Sequence, residues 1–371
     1  MRRVLLVSGS LPPIRCGVGH YTSRLSRELA AEKLDFQLLS TEGVDRKTPA
    51  PLLTVPNWKV RTIPKMLDAI KTSRAQIVHI QYPAVGYRRQ LGINLLPYVI
   101  KLLRPRLKLV ITLHEYHQSR WIGKLRNLIT ILPAHKVLVS NQLDKSGLAR
   151  WVGDKVRIVP IGANFEVAKP NQQFYEKTLK DLGLAVSKPT LVFFGYAFPS
   201  KRLEVLLDAL NEPQLLNYQL LLVASFDKDE PYQKMLKAKI NKLNQNEIRA
   251  GVTGFLEGDD VSAILQASRY FVLPNVRPIS AKSGTAIAAT VNGMILLSHG
   301  SNRPIETTPF EHLKNSYLLE RVTPQSIAAA IEHLEDSPAD SRKILAGVKE
   351  LQKYFSWTNI VKQHTKLYEE L

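Results

Sequence analysis

The sequence predicts two doubly wound α/β domains. Short continuous apolar runs recur at intervals of roughly 10 to 30 residues, with helical patterns between them. Such runs are typical of a parallel sheet covered by helices on both faces. The series starts again after Pro160, and 371 residues exceed the size at which one hydrophobic core usually stops growing. We therefore expect an N-terminal domain over residues 1–165 and a C-terminal domain over residues 166–355.

The individual runs give the expected strands. In the first domain they are 4–7, 36–39, 77–80, 109–113, 137–139 and 156–159. In the second they are 191–194, 219–223, 251–255, 270–273 and 294–297. The polar stretch 164–173 is the expected linker. The last residues, 356–371, have apolar side chains at helical spacing and predict an amphipathic helix that crosses back to the first domain.

The positive charge is concentrated in the first domain. Residues 1–160 contain 27 of the 51 Lys and Arg but only 9 of the 32 Asp and Glu, so they carry +18 of the net +19. This asymmetry indicates an anionic partner. Many of the cations lie between Arg88 and Arg126, around apolar segments, and predict two amphipathic helices with basic faces. Such helices lie on anionic membranes or form a solvated positive surface. No nucleic-acid-binding signature accompanies the charge, so nucleic acid is not an expected partner.

Cysteine content and hydropathy predict the compartment. The single cysteine, Cys16, cannot form an internal disulfide, is interpreted as a small residue in a turn, and fits a reducing compartment. The apolar run that follows Arg3 ends after four residues, which is too short for a signal peptide. No stretch reaches the roughly 20 apolar residues of a spanning helix. We expect a cytoplasmic protein, with the inner face of the membrane as a second location.

Two segments of the first domain carry candidate chemistry. Gly17 and Gly19 open a helix after the first strand, where free N–H groups can face a phosphate or a hydroxyl. The spacing is not that of a dinucleotide or P-loop motif, and a purely structural loop is the alternative. His114 follows the fourth strand, on the edge where doubly wound sheets bind ligands. It can hydrogen-bond a hydroxyl or assist proton transfer, or it is a structural histidine.

In the second domain, cations follow two strands. Lys201 and Arg202 come after the strand that ends at Gly195, and side chains of this charge can neutralise a diphosphate. After the strand ending at residue 273, Arg277 and Lys282 precede Ser283, Gly284 and Thr285 at the start of an Ala-rich helix. Hydroxyls and free N–H groups at a helix start form an anion cradle, with plain helix capping as the alternative.

Taken in order, these elements resemble glycosyltransferase family 4, whose fold is GT-B, with two facing Rossmann-like domains. The resemblance spans nearly the whole chain. The matching pieces are Pro12-Pro13 with Gly17 to Thr22, Ile77 to Tyr82, Ile111 to His114, Val159 to Asn164, Phe193 to Gly195, Lys201, Thr253 to Leu256, Leu273-Pro274 and Phe355 to Trp357. It implies a retaining, metal-independent transferase without a cofactor, in which the departing phosphate can take the acceptor proton.

The resemblance also implies site residues. His114 is the predicted catalytic residue. The predicted acceptor-side residues are Arg15, Val18, Tyr82 and Glu115. The predicted donor-binding residues are Gly17, Gly195, Lys201, Arg202, Phe255, Leu256, Arg277, Ser280, Lys282, Ser283, Gly284 and Thr285. The expected partners are a nucleotide sugar, UDP-glucose on family grounds, and a glycan or lipid-linked acceptor of polysaccharide synthesis.

One departure from the family concerns the donor. Family members commonly carry two glutamates eight positions apart, and the matching positions here are Ser280 and Ala288. The pattern from Ser280 to Thr285 is similar to a subgroup that lacks this pair. Because the second glutamate usually holds the ribose, the contacts to the donor must differ here. A catalytically inactive GT-B scaffold that binds glycans or a partner is the alternative, and a GT-B epimerase is a weaker one.

Overall fold

The computed structural model describes residues 2–14, 16–44, 48–227, 229–247 and 249–371. They form two compact units, one of residues 1–162 with 357–371 and one of residues 163–356. The boundary thus lies just before the expected linker. No helix in the described ranges is both long and apolar enough to cross a bilayer.

The described part of the first unit contains a parallel sheet with helices on both faces. Its elements are β1 (Val4–Ser8), α1 (Gly17–Ala31), β2 (Phe36–Thr41), β3 (Leu52–Val55), α2 (Ile63–Ser73), β4 (Ile77–Tyr82), α3 (Gly92–Leu103), β5 (Lys108–Leu113), α4 (Trp121–Ile131), β6 (Lys136–Val139), α5 (Gln142–Val152) and β7 (Val156–Ile158). The strands are ordered β3-β2-β1-β4-β5-β6-β7. The strand order reverses between β1 and β4.

The second unit repeats this architecture. Its elements are α6 (Gln172–Asp181), β8 (Thr190–Phe194), α7 (Leu203–Ala209), β9 (Gln219–Val223), α8 (Pro231–Leu243), β10 (Ala250–Val252), α9 (Gly258–Gln266), β11 (Tyr270–Leu273), α10 (Gly284–Val291), β12 (Ile295–His299), α11 (Pro304–Thr307), β13 (Tyr317–Leu319), α12 (Pro324–Asp336) and α13 (Pro338–Tyr354). The strands are ordered β10-β9-β8-β11-β12-β13. Here the order reverses between β8 and β11.

The last helix, α14 (Trp357–Glu370), belongs to the first unit, as predicted. It packs against α1 and buries Ile360, Val361, Leu367 and Tyr368 in the core on that face of the sheet. The opposite face is covered by side chains of α2 to α5, including Met66, Leu96 and Leu148. Both faces of the sheet are therefore buried, which explains its continuous apolar strands.

The structure differs from the predicted strands at the sheet edges. Strands β3 and β13 were not predicted, and both are short edge strands that are only partly buried. Each spans only three or four residues, and an apolar run of that length is a weak signal. The predicted strand over 251–255 is β10, which ends at Val252 because Gly254 turns the chain with a φ of 80°.

Candidate functional site

Most of the predicted site residues lie in loops that meet where strand order reverses, whereas His114 and Glu115 follow β5 and Phe255 and Leu256 follow β10. In doubly wound sheets, ligands bind outside the carboxyl ends of the strands at such a switch point. The loops after β1 and β4 meet there in the first unit, and the loops after β8 and β11 meet there in the second. Each unit therefore has its own candidate ligand-binding edge.

The first unit contains a pocket of about 460 Å³ at its switch point. Four predicted residues line it, namely Gly17, Val18, Tyr82 and Glu115. Gly17, predicted to bind the donor, thus lies with the acceptor-side residues. Arg15 lies outside the described residues. Cys16, interpreted as a turn residue, is the buried N-cap of α1 and also lines the pocket.

Close backbone packing holds the walls of this pocket. A Cβ atom at Gly86 would lie 1.5 Å from the carbonyl oxygen of Gly9, and one at Gly9 would lie 2.6 Å from the ring of Tyr87. The amide of Gly86 also donates to Ser10 Oγ at 2.7 Å. Glycine is needed at both positions because the loops after β1 and β4 touch through their backbones.

Buried polar side chains fix the floor of the pocket. Asn94 Nδ2 donates to Tyr82 Oη at 2.8 Å and to Thr130 Oγ1 at 2.6 Å. The hydroxyl of Tyr87 donates to the carbonyl of Gln81 at 3.0 Å, and its ring stacks on Tyr82 with centroids 5.9 Å apart. Tyr82 is therefore held in one orientation, with its position set by both β4 and α3.

His114 lies beside the pocket and is not one of the side chains that line it. Its Nε2 is 2.9 Å from Gln81 Oε1, and its ring meets Tyr21 edge-on at 5.3 Å. Because an amide oxygen only accepts, Nε2 carries the proton and donates to Gln81.

Below His114 lies a buried network that links the sheet to α14. His79 Nε2 is 2.7 Å from Thr112 Oγ1, and His79 Nδ1 is 2.6 Å from the hydroxyl of Tyr368. Gln81 Nε2 lies 3.2 Å from His79 Nε2 and joins this network to His114. Burial, followed by the neighbouring rings of His364 and His114, lowers the pKa of His79 well below its usual value. His79 is therefore neutral near pH 7 and accepts through Nε2.

In the second unit, the loops after β8 and β11 approach each other closely. Gly195 has a φ of 133°, and a Cβ atom there would lie 3.3 Å from Thr285 Oγ1. The amide of Val276 donates to the carbonyl of Ser200 at 3.0 Å and ties the two loops together. The structure thus brings Gly195 and Thr285, from different strands, into one place.

The residues around Thr285 begin helix α10. Ser283 is its N-cap and accepts weakly from the amide of Ala286 at 3.4 Å. No acidic residue lies in the first turn of this helix. The positive end of α10 therefore lies beside Gly195, as an anion-binding site requires.

The cations of this unit differ in their surroundings. Lys201 is half-buried, and burial lowers the pKa of its ammonium group. Arg202 has a left-handed backbone, with a φ of 50°, and pairs with Glu204 at 3.9 Å. Lys282 is half-buried and Arg277 is exposed. A bound anion would offset the cost of burying Lys201, whereas Arg202 already has a carboxylate partner.

The remaining predicted donor residues lie in loops. Phe255 follows Gly254 and is 76% exposed, so its ring is open to stacking, and Leu256 is half-buried. Ser280 Oγ accepts from the amide of Lys282 at 3.4 Å. Ala288 is 1% exposed within α10. A glutamate at that position would be buried in this unit, so the family's second carboxylate has no solvated place here.

Sequence reasoning did not select several residues that the structure places at the two switch points. Tyr196 and Phe198 are exposed and stacked, with centroids 5.7 Å apart, in the loop after Gly195. Arg88, Arg89, Asn94 and Arg126 line the pocket of the first unit. The arginines were noticed as charge on a surface, and no sequence signal showed that they share a pocket. In the described ranges, no group of His, Cys, Asp and Glu is arranged to hold a metal ion.

Residues 174–349 match the family model "Glycosyl transferases group 1". The matched segment lies within the second unit. The predicted enzyme class is confirmed by this match. No curated protein matches the chain significantly.

Solved structures resemble the whole chain. A glycosyltransferase from Rickettsia africae has a TM-score of 0.78 at 18% identity, over 100% of this chain and 98% of that chain. HepE from Anabaena, in complex with UDP, has a TM-score of 0.75 at 15% identity and covers 100% of both chains. Sucrose-phosphate synthase from Thermosynechococcus elongatus has a TM-score of 0.71 at 19% identity, over 100% and 99%. These likenesses confirm the predicted α/β GT-B fold.

Proposed function

We propose that the chain is a retaining glycosyltransferase of the family 4 type, which transfers glucose from UDP-glucose to a glycan or lipid-linked acceptor in polysaccharide synthesis. The observation that carries this proposal is the arrangement in the second unit. Gly195 lies against Thr285, the start of α10 has no acidic residue, and the half-buried Lys201 lies in the adjoining loop. These groups suit a diphosphate, whose negative charge grows as it becomes a leaving group.

The nucleotide is proposed from two lines of support. The Anabaena HepE structures were determined with UDP, with UDP and glucose, and with UDP-glucose. In this chain, the exposed ring of Phe255 is available to stack on a base. Because Ala288 replaces the family's ribose-binding glutamate, we expect the ribose to contribute less to affinity than the diphosphate does.

We further propose that retention follows from proton transfer between the substrates. The leaving diphosphate takes the acceptor proton on the same face, and His114 helps to position the acceptor. Gln81 fixes the ring by accepting from Nε2. No metal ion or other cofactor is part of this proposal, so a chelator should leave the rate unchanged, and loss of activity in EDTA would contradict it.

Calorimetry with UDP tests the donor site. Lys201→Ala should weaken binding about ten- to a hundredfold, because hydrogen bonds to charged groups contribute about 1.5–3 kcal/mol. Thr285→Ala, which removes a neutral donor, should weaken it about threefold to tenfold. Lys234→Ala removes an exposed ammonium group from α8 and is the matched control. Absence of UDP binding by the unaltered protein would refute the proposed donor.

Two measurements separate transfer from the alternative of an inactive scaffold. The unaltered protein should hydrolyse UDP-glucose slowly when no acceptor is present, and Lys201→Ala should abolish this reaction. The released glucose should retain the α configuration in proton NMR spectra recorded before mutarotation. UDP binding without any turnover would favour the scaffold, and a β product would contradict retention.

We also propose that the first unit docks on anionic membranes, at the cytoplasmic face. Helices α3 and α4 pack together, with Tyr98 Oη donating to the carbonyl of Ile129 at 2.8 Å. Both expose large apolar side chains, led by Leu102 at 79% and Trp121 at 74%. The other exposed large hydrophobic side chains on these helices are Leu95, Tyr98, Leu103, Ile122, Leu125 and Ile129. Exposed apolar surface of this extent on soluble proteins marks an interaction site.

The charges beside these apolar side chains support an anionic partner. The cations Lys101, Arg104, Arg106, Arg120 and Lys124 lie on or beside the two helices. Exposed Trp and Leu side chains accompanied by Lys and Arg suit the interface of an anionic bilayer. Docking on such a bilayer would bring a lipid-linked acceptor to the first unit.

Vesicle flotation tests the membrane proposal. The protein should float with phosphatidylcholine vesicles that contain phosphatidylglycerol, and binding should fall with added salt. Trp121→Ser with Ile122→Ser should weaken it about tenfold or more, because both side chains lose apolar contact. Trp151→Ser, which removes an exposed Trp from α5, is the control. Equal binding to neutral and anionic vesicles would refute the proposal.

A further inference from the structure

The pocket of the first unit is strongly cationic. Its lining includes Arg88, Arg89 and Arg126, with Glu115 as the one carboxylate among the described lining residues. Arginine stays charged at every accessible pH, so these four residues carry a net charge of about +2. A role for this charge rests on the proposed function, because the pocket lies on the acceptor side of the same enzyme.

These three arginines have no partner in the described part of the chain. None of their guanidinium groups forms an ion pair or a hydrogen bond there, and Arg126 Nε is buried without an acceptor. Other arginines of this unit are paired, Arg157 with Glu370 and Arg3 with Asp35. A buried donor without an acceptor is costly, and a ligand in this pocket would supply one.

The backbone at Arg88 and Arg89 supports the same conclusion. Their φ angles are 47° and 58°, which places two consecutive non-glycine residues in the left-handed region. Side chains other than glycine are disfavoured there, and such strain is concentrated at ligand-binding segments. Arginine at both positions indicates that the side chains are needed at the pocket despite the strain.

The helix that begins at the pocket adds positive potential. Gly17 is the first residue of α1, a helix of 15 residues without an acidic residue in its first turn. Its N-cap, Cys16, makes no capping hydrogen bond through its side chain. A Cβ atom at Gly17 would meet nothing within 4 Å, so the space beside the start of α1 is open. The N-terminus of α1 and the arginines thus favour the same ligand charge.

The pocket also offers an acceptor for a hydroxyl. Asn94 is 3% exposed, and its Nδ2 donates to both Tyr82 and Thr130. The proton of Thr130 Oγ1 goes to the carbonyl of Arg126 at 2.8 Å, so Thr130 accepts from the amide and the amide orientation is set. Asn94 Oδ1 then remains without a donor. A ligand with both a phosphate and a hydroxyl would satisfy Arg126 and Asn94 together.

We infer that this pocket binds a phosphoryl group of the acceptor. A carboxylate is satisfied by one bidentate guanidinium, whereas three arginines and a helix N-terminus suit the larger number of oxygens on a phosphate. A volume of about 460 Å³ can hold a sugar phosphate. The same chemistry is present in a soluble sugar phosphate and in a phosphorylated lipid whose headgroup enters the pocket.

Binding experiments with the full chain test this inference. The soluble probe is glucose 6-phosphate, compared with glucose, in isothermal titration calorimetry. The lipid probe is phosphatidylcholine vesicles with phosphatidate, compared with vesicles that contain phosphatidylglycerol at equal charge. Glucose 6-phosphate should bind about tenfold or more tightly than glucose, or the phosphomonoester phosphatidate about tenfold or more tightly than the phosphodiester phosphatidylglycerol.

The variants identify the site. Arg126→Gln and Arg89→Gln should each weaken the responsive probe about ten- to a hundredfold. Arg126→Lys keeps the charge but lacks the planar guanidinium group, so its binding of the probe should be weaker than that of the unaltered protein and stronger than that of Arg126→Gln. Arg27→Gln makes the same change of charge on the exposed face of α1 and should have no effect. Arg88→Gly is a second test that relieves backbone strain, so a loss of binding there does not reflect misfolding.

The responsive probe identifies the source of the phosphate. Weakening of glucose 6-phosphate binding would support a soluble sugar phosphate, and weakening with phosphatidate vesicles would support a phosphorylated lipid. If the pocket variants bind both probes like the Arg27→Gln control, or if glucose binds as well as glucose 6-phosphate and both vesicles bind equally, the inference is overturned.

Failure of this inference can be told from failure of the proposed donor. Lys201→Ala should weaken UDP and leave the responsive probe unchanged, and Arg126→Gln should do the reverse. UDP binding with no response to either phosphate probe would overturn the inference alone. A phosphate response that depends on Arg126, without UDP binding, would support the inference and refute the proposed donor.

Discussion

Acid should destabilise the first unit through one buried histidine, His364. This residue of α14 is fully buried beneath the sheet, its Nδ1 donates to the carbonyl of Ile360 at 2.8 Å, and its Nε2 has no partner. Burial lowers its pKa from 6.5 to about 4. The rings of His79 and Tyr368 face it from β4 and from its own helix, with centroids 5.7 Å and 6.1 Å away.

The sign and size of the effect follow from this shift. The folded state keeps His364 neutral down to about pH 4, whereas the unfolded chain takes up the proton near pH 6.5. The stabilising contribution is therefore complete above pH 6.5 and is lost as the pH falls toward 4. Between pH 7 and pH 5 the free energy of unfolding should fall by about 2 kcal/mol through this group alone.

Tryptophan fluorescence reports this change from the first unit only, because all four tryptophans lie there, at positions 58, 121, 151 and 357. Urea unfolding of the unaltered protein and of His364→Leu should be compared at pH 7 and pH 5. Leucine cannot titrate, so the variant should lose about 2 kcal/mol less stability over this range. The variant still contains His79, whose pKa is also lowered, so His79 still contributes to the pH dependence of the variant's stability.

The control is His20→Gln, which removes an exposed histidine of α1. It should follow the unaltered protein at both pH values. If His364→Leu loses as much stability as the unaltered protein between pH 7 and pH 5, His364 is not held neutral by burial, and the reasoning fails.

Three further predictions concern the backbone and the two switch points. Gly86→Ala should destabilise the first unit by about 2 kcal/mol or more, because the new Cβ would lie 1.5 Å from the carbonyl oxygen of Gly9. Gly17→Ala is the control and should change the stability little, because its Cβ would meet nothing within 4 Å. Equal effects of the two variants in urea unfolding would contradict this prediction. Arg89→Gly should stabilise the unit by about 0.5–1 kcal/mol while weakening phosphate binding, and destabilisation would show that the left-handed backbone is unstrained. Ala288→Glu should lower the thermal unfolding temperature of the second unit in calorimetry, because the carboxylate would be buried without a partner. The variant should not bind UDP more tightly than the unaltered protein. Tighter UDP binding would refute this prediction.

Much of the fold could be predicted from hydrophobic patterns. Strands β1 and β5 are buried on both faces, so their sequences contain apolar runs that are easily recognised. Strands β3 and β13 were not predicted, and both are partly exposed and only three or four residues long. Helix α14 was predicted from spacing alone, since its buried side chains repeat at helical intervals.

The composition of the first pocket could not be predicted in the same way. Gly17, Tyr82 and Glu115 line the same pocket because the carboxyl ends of parallel strands meet at one edge of the sheet. The strand order is enough to explain why these three residues lie together. Arg126 belongs to α4, and its charge resembles that of the exposed cations on the same helix. Its inclusion depends on the packing of α4 beside α3, which no local pattern encodes.

Residue types and their spacing along the chain were enough to predict the two doubly wound domains, the enzyme class and the asymmetry of charge. Which of the charges are paired depends instead on the packed chain. Packing places Arg88, Arg89 and Arg126 in one pocket without carboxylate partners, buries Ala288 and sets Gly195 against Thr285. Electrostatic interaction and burial depend on distances in space, and residues far apart in sequence meet only when the strands pair and the helices pack.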